Sequence, residues 1–166
     1  MRKPFLILLA AAALFTACNN SSDEKKADSM DSMDHSSMDH STAAVPPVPE
    51  VPAGAKVFFA NLKDGESVTS PLKVQMGVEG MNVDTANGNV KAGSGHHHIF
   101  IDGPDSLATG ETVPKDSVHL HFGNAQTETE LKLAPGKHTL TLQFADALHR
   151  SYGQKLSTKI TVDVKK

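Results

Sequence analysis

Between Ala55 and Lys166 apolar residues recur at every second position, and no helical period of useful length interrupts them. Leu72, Val74, Met76 and Val78 alternate with Lys73, Gln75, Gly77 and Glu79. Leu140, Leu142 and Phe144 alternate with Thr139, Thr141 and Gln143, and Ile160, Val162 and Val164 with Thr161, Asp163 and Lys165. A strand turns successive side chains to opposite faces, so each run has one face to bury. Shorter strands fit 56–60, 97–102, 118–122 and 127–133, separated by Asp64-Gly65, Asp102-Gly103-Pro104, Gly123-Asn124 and Pro135-Gly136. About seven short strands with such turns predict an all-β fold, an antiparallel immunoglobulin-like sandwich spanning residues 55–166; an eighth strand or an open barrel would give much the same pattern. Cys18 is the only cysteine. An intrachain disulfide is therefore excluded, and apolar burial must stabilise the domain.

The residues before the domain read differently. Arg2 and Lys3 precede an uncharged apolar run from Phe5 to Phe15, too short for a permanent membrane span and suited to a signal peptide over 1–17. Leu14-Phe15-Thr16-Ala17-Cys18 resembles the lipobox of bacterial lipoproteins. The resemblance implies cleavage before Cys18 and lipid on its thiol and new amino group. It implies in turn a membrane-anchored protein of the bacterial cell envelope. Asn19 is not the Asp that often retains such proteins in the inner membrane, so an outer-membrane position facing the periplasm or the surface is expected.

Residues 18–54 form a tether rich in Ser, Asp and Ala that ends in Val45-Pro46-Pro47-Val48-Pro49-Glu50-Val51-Pro52. Its last part is expected to be a stiff extended spacer and the rest disordered. The tether carries seven acidic residues against two lysines, while residues 55–166 carry twelve of each sign. A neutral domain without a basic face gives no reason to expect nucleic acid as a partner. The tether also repeats Ser-Met-Asp, with Met30, Met33, His35, Met38 and His40 in it. Thioethers are soft ligands suited to Cu(I), and imidazole accepts either copper oxidation state. This composition points to copper, and it resembles Met/His-rich runs of extracytoplasmic copper-handling proteins, one of which would then be the partner.

The domain concentrates its remaining histidines. Gly95-His96-His97-His98-Ile99-Phe100-Ile101 enters a strand in which His97, Ile99 and Ile101 share one face and His96, His98 and Phe100 the other. With Ile99 and Ile101 turned to the core, His96 and His98 are expected to face away from it. Val118-His119-Leu120-His121-Phe122 repeats the pattern, with His121 outward and His119 one pair further from the loop end. If the two strands pair antiparallel with His98 near His121, His149 in the loop 146–156 and Met81 in the loop 80–95 can reach the same end. His96, His98, His121, His149 and Met81 are thus the candidate ligands, a set that suits copper; three imidazoles with a water would suit zinc. His138 follows the Pro135-Gly136 turn with inward parity and reads as structural, bonded to the corner before it.

Gly80-Met81, the GHHHIFID run 95–102, His121-Phe122-Gly123 with Gln126-Thr127-Glu128, and Pro135-Gly136-Lys137-His138-Thr139-Leu140 occur in this order. Together they resemble the bacterial domain of unknown function numbered 4399. The resemblance implies a small extracytoplasmic β-rich domain and brings no established activity. No metalloprotease helix motif, nucleophile elbow or phosphate-cradling loop is present, so an enzyme is not expected. The competing function is an envelope binding or adhesion module whose histidines contact a protein or glycan.

Overall fold

The computed structural model describes residues 44–166. The signal peptide, Cys18 and the tether residues Met30, Met33, His35, Met38 and His40 lie outside the described residues. Nine strands follow in order: β1 (Lys56–Phe59), β2 (Glu66–Val68), β3 (Leu72–Glu79), β4 (Asn82–Val83), β5 (Ser94–Ile101), β6 (His119–Phe122), β7 (Glu128–Leu131), β8 (Gly136–Ala145) and β9 (Ser157–Val164). The seven expected from the alternation are all present; the additions are the two short strands β2 and β4. A single 3-10 turn, Gln154–Leu156, is the only helical element among the described residues.

The strands form two sheets, β1-β3-β7 and a six-stranded sheet ordered β2-β9-β8-β5-β4 with β6 also on β5. Most pairs are antiparallel, as expected, but β2 runs parallel to β9 and β4 parallel to β5. The alternating faces of both sheets meet in one core that includes Val57, Val74 and Met76 from one sheet and Ile99, Leu142 and Val162 from the other. Burial of these side chains is the main favourable term in a domain without disulfides.

Two departures from the sequence reading matter for the site. First, the far face of the larger sheet is not open. Phe100, Leu107, Val113 and Ala145 form a second apolar cluster there. The long connection 103–117 lies across β5 and β8 as a strap: the Leu107 N–H donates to Gln143 Oε1 (3.1 Å), and Ser151 Oγ donates to the Leu107 carbonyl (3.1 Å). Second, the proline-rich end of the tether does not stand clear of the domain. Val48 and Val51 pack against the main core, and the carbonyl of Pro46 accepts a hydrogen bond of 2.6 Å from Arg150. The segment is extended, as its prolines require, yet it is a docked edge of the domain.

Candidate metal centre

β5 is the axis of the site. It pairs with β8 over His96–Ile101 and with β6 over His97–Phe100, and the β6 register sets His98 opposite His121. Opposed residues of an antiparallel pair point to the same side. His96, His98 and His121 therefore share the far face, while His97 lies opposite Phe122 and Phe144 on the core face. The expected parity is correct; the expected exposure is not. His96 and His98 are 0% and 2% exposed, because the strap and the loop after β8 cover the face that the alternation leaves open, while His97 is buried on the core side as its parity requires.

Glycine makes this packing possible at two points. A Cβ on Gly95 would stand 2.3 Å from the Ala145 carbonyl oxygen and 2.8 Å from the Phe144 ring, so only glycine lets β5 approach β8 where the histidines begin. A Cβ on Gly123 would stand 2.2 Å from Nε2 of His121 itself. Backbone φ at Gly123 lies outside the left-handed range, so alanine can adopt it; the main obstacle is the imidazole, with Ala86 Cβ in tight contact at 3.1 Å. Gly123→Ala should therefore fold with a small loss of stability while displacing a donor atom. We expect metal affinity about 10-fold or more weaker and metal-free stability lowered by no more than about 1 kcal/mol; equal affinity would show that His121 is not held against Gly123.

The fourth imidazole arrives from the loop after β8. His149 has φ +64°, a left-handed conformation that histidine tolerates better than most residues. Its N–H donates to the Asp146 carbonyl and its own carbonyl accepts from Val113, both at 2.9 Å. Asp146 is buried, and its carboxylate accepts from the Leu148 N–H (2.9 Å), the Arg150 N–H (3.0 Å) and Arg150 Nε (2.8 Å). A charge so deeply buried is tolerable because it is paired and fully hydrogen-bonded.

Four rings thus converge. Nε2 of His96 and Nε2 of His98 are 2.9 Å apart, and Nε2 of His121 and Nε2 of His149 are 3.1 Å apart. Ring centroids across the four span 4.7 to 6.0 Å. Donor atoms of His96, His121 and His149 all lie within 4.8 Å of one another, a group that could hold a metal ion. Ligands of one ion at the usual metal–nitrogen distance are about 2.9 Å apart in a square plane and about 3.3 Å apart in a tetrahedron. Both nitrogen pairs fall in that range.

The electrostatics favour the ligand form. Burial holds His96 down to about 3 and His98 down to about 2, and the neighbouring imidazoles add to both shifts. Burial, then His149 and Lys115, lowers His121 as well. The buried pair therefore stays neutral well below physiological pH, with lone pairs available. The Nδ1 atoms of His96 and His98 are buried without a protein partner, so in the metal-free protein only the Nε2 contact between the two rings constrains their tautomers. A cleft of about 320 Å³, lined by Thr112, Val113, Pro114 and Lys115, opens onto His98, His121 and His149.

The other candidates lie elsewhere. Met81 is 8% exposed and packs in the main apolar core, so its side chain fills space there, in place of the ligand role expected from its loop. His119 packs its ring on Phe100 and donates from Nδ1 to Asp116 at 2.8 Å. His138 bonds the Ala134 carbonyl (3.0 Å) and Asp102 (2.7 Å), tying the corner before β8 as expected. The same Asp102 carboxylate accepts from the Thr139 N–H at 2.8 Å, so it joins β5 to β8 and does more than close its own turn. Sequence reasoning missed Asp146, Arg150 and Gly123; a Gly two residues after an outward His was the one available signal.

No curated protein and no solved structure matches this chain. The model of one family matches residues 74–165, which include every histidine of the cluster, the strap, and strands β4 to β9. The chain belongs to that family, described as a domain of unknown function (DUF4399).

Proposed function

We propose that this protein is a metal-binding lipoprotein of the bacterial cell envelope, and that His96, His98, His121 and His149 hold one copper ion for storage, sequestration or delivery. The observation that carries the reading is the convergence of two imidazole nitrogen pairs, one buried at 2.9 Å and one nearer the surface at 3.1 Å, with the donor atoms of His96, His121 and His149 within 4.8 Å of one another. Imidazole ligands suit copper, zinc, iron and nickel, and the methionines of the tether favour copper among them. The Met30, Met33 and Met38 repeat on the same chain offers thioethers, which zinc rarely uses. Lipid on Cys18 would anchor the protein, and a copper-handling envelope protein would be its partner. Binding rather than turnover is its role.

The test is a competition titration on a tag-free chain starting at Ala44, which retains both apolar clusters and lacks the Met/Asp/His repeat. Copper should bind at one per chain and resist displacement by equimolar zinc, as the general order of divalent affinities requires. Tighter zinc binding would reassign the metal. Failure to bind either ion would leave the histidines as contacts for a protein or glycan.

A further inference from the structure

The docked N-terminal segment has no place in the site as described, yet it ends on the one loop that carries a ligand. Arg150 is the residue after His149. It donates Nε to Asp146 at 2.8 Å and Nη1 to the Pro46 carbonyl at 2.6 Å, so one guanidinium spans the loop and the segment. Asp146 in turn holds the Leu148 and Arg150 N–H groups and shapes the left-handed turn at His149. Two residues on, Val48 and Val51 pack against the core, and Val48 lies beside Gly110, whose N–H bonds the Ser151 carbonyl at 2.9 Å. The segment thus touches the His149 loop at Arg150 and, through Val48, the strap residue Gly110 that bonds Ser151. The remaining ligands stand on β5 and β6, held by ladder bonds that do not involve it.

We infer that residues Pro46 to Val51 are a positioning element of the metal centre: their docking fixes His149 through Arg150 and Asp146, so metal affinity is tied to whether the root of the tether lies on the domain. This rests on the copper-binding reading above. The site then has three ligands set by the sheet and one set by the segment that leads to the membrane anchor. A partner that draws the segment off the domain would weaken the grip on the ion without touching it. Arginine suits this task because its planar fork can bond a carboxylate and a carbonyl together, which a lysine ammonium does with less order.

The experiment uses the full mature chain with Cys18→Ser and with Met30, Met33, His35, Met38 and His40 replaced by Ser, titrated with Cu(II) against a chelator. Val48→Asp with Val51→Asp should undock the segment and weaken copper binding about 10- to 100-fold, the usual cost of losing a group that orients a ligand. In a His149→Ala background, followed at higher copper, the same pair should cause no further loss. Should the double aspartate variant fail to fold, Val48→Ala with Val51→Ala takes its place in the same cycle. Unchanged affinity on undocking, or an equal loss with and without His149, overturns the inference while the copper site stands. Absence of copper binding by the parent chain overturns both.

Discussion

Below pH 6 the metal-free domain should lose stability steeply, and near pH 5 its unfolding free energy should be lower than at neutral pH by about 6 kcal/mol. The unfolded chain takes up a proton at each histidine near pH 6.5. In the folded chain burial holds His96 to about 3, His97 to about 4 and His98 to about 2. The unfolded state therefore binds more protons below pH 6.5, and stability rises with pH through that window. Each group contributes about 1.4 kcal/mol per pH unit, so three groups lose about 2 kcal/mol each by pH 5. Small domains have about 5–15 kcal/mol in all, so acid unfolding should centre near pH 4 to 5. His138 acts in the opposite sense: its bond to Asp102 raises its pKa, and that contribution is lost as pH rises above the shifted value. Denaturant midpoints measured from pH 7 to pH 4.5 in the presence of a chelator check this. A flat profile would mean that the three rings are not buried as described. Bound metal should shift the whole profile to lower pH, because it stabilises only the folded state.

Histidines on the two faces of the larger sheet should respond to substitution in opposite ways. His121→Ala should weaken copper binding more than about 100-fold, since even groups that only orient a ligand contribute about 10- to 100-fold. His121 is exposed, so its removal should leave metal-free stability within about 1 kcal/mol. His97→Leu should do the reverse. Its ring packs edge-on against Phe144 at 5.0 Å in the apolar core, and neither ring nitrogen has a partner. Replacing a buried, unsatisfied polar group by an apolar one should stabilise the metal-free domain by about 1–3 kcal/mol and leave copper affinity unchanged. Thermal unfolding of the two variants, each with and without copper, reads both effects. Loss of copper binding in His97→Leu would invert the face assignment.

That contrast shows what alternation can and cannot convey. The parity of β5 and β6 follows from the two-residue period, so the separation of His97 from His96 and His98, and the pairing of His98 with His121, could be read from the chain. So could the seven longer strands and the structural task of His138. Coverage of the far face could not. The strap 103–117 contributes only Leu107 and Val113 to the apolar cluster there, too few to show a period. A proline-rich run reads the same whether it floats or docks, since prolines fix the backbone and leave the contacts of Val48 and Val51 unstated. Met81 misled because a thioether in a loop beside histidines looks like a ligand, while its burial depends on how β4 meets the core. Gly95 and Gly123 carry their reason in distances to Ala145 and His121, which have no trace in a linear pattern.

Copper's own ligand field gives the most direct test. A tag-free chain starting at Ala44, loaded with one equivalent of Cu(II) at neutral pH, can be examined by electron paramagnetic resonance and X-ray absorption. We expect one copper per chain in a tetragonally flattened site with three or four imidazole nitrogens and no sulfur, and one imidazole fewer in His121→Ala. A sub-stoichiometric or oxygen-dominated copper signal, unchanged in His121→Ala, would contradict the four-histidine centre.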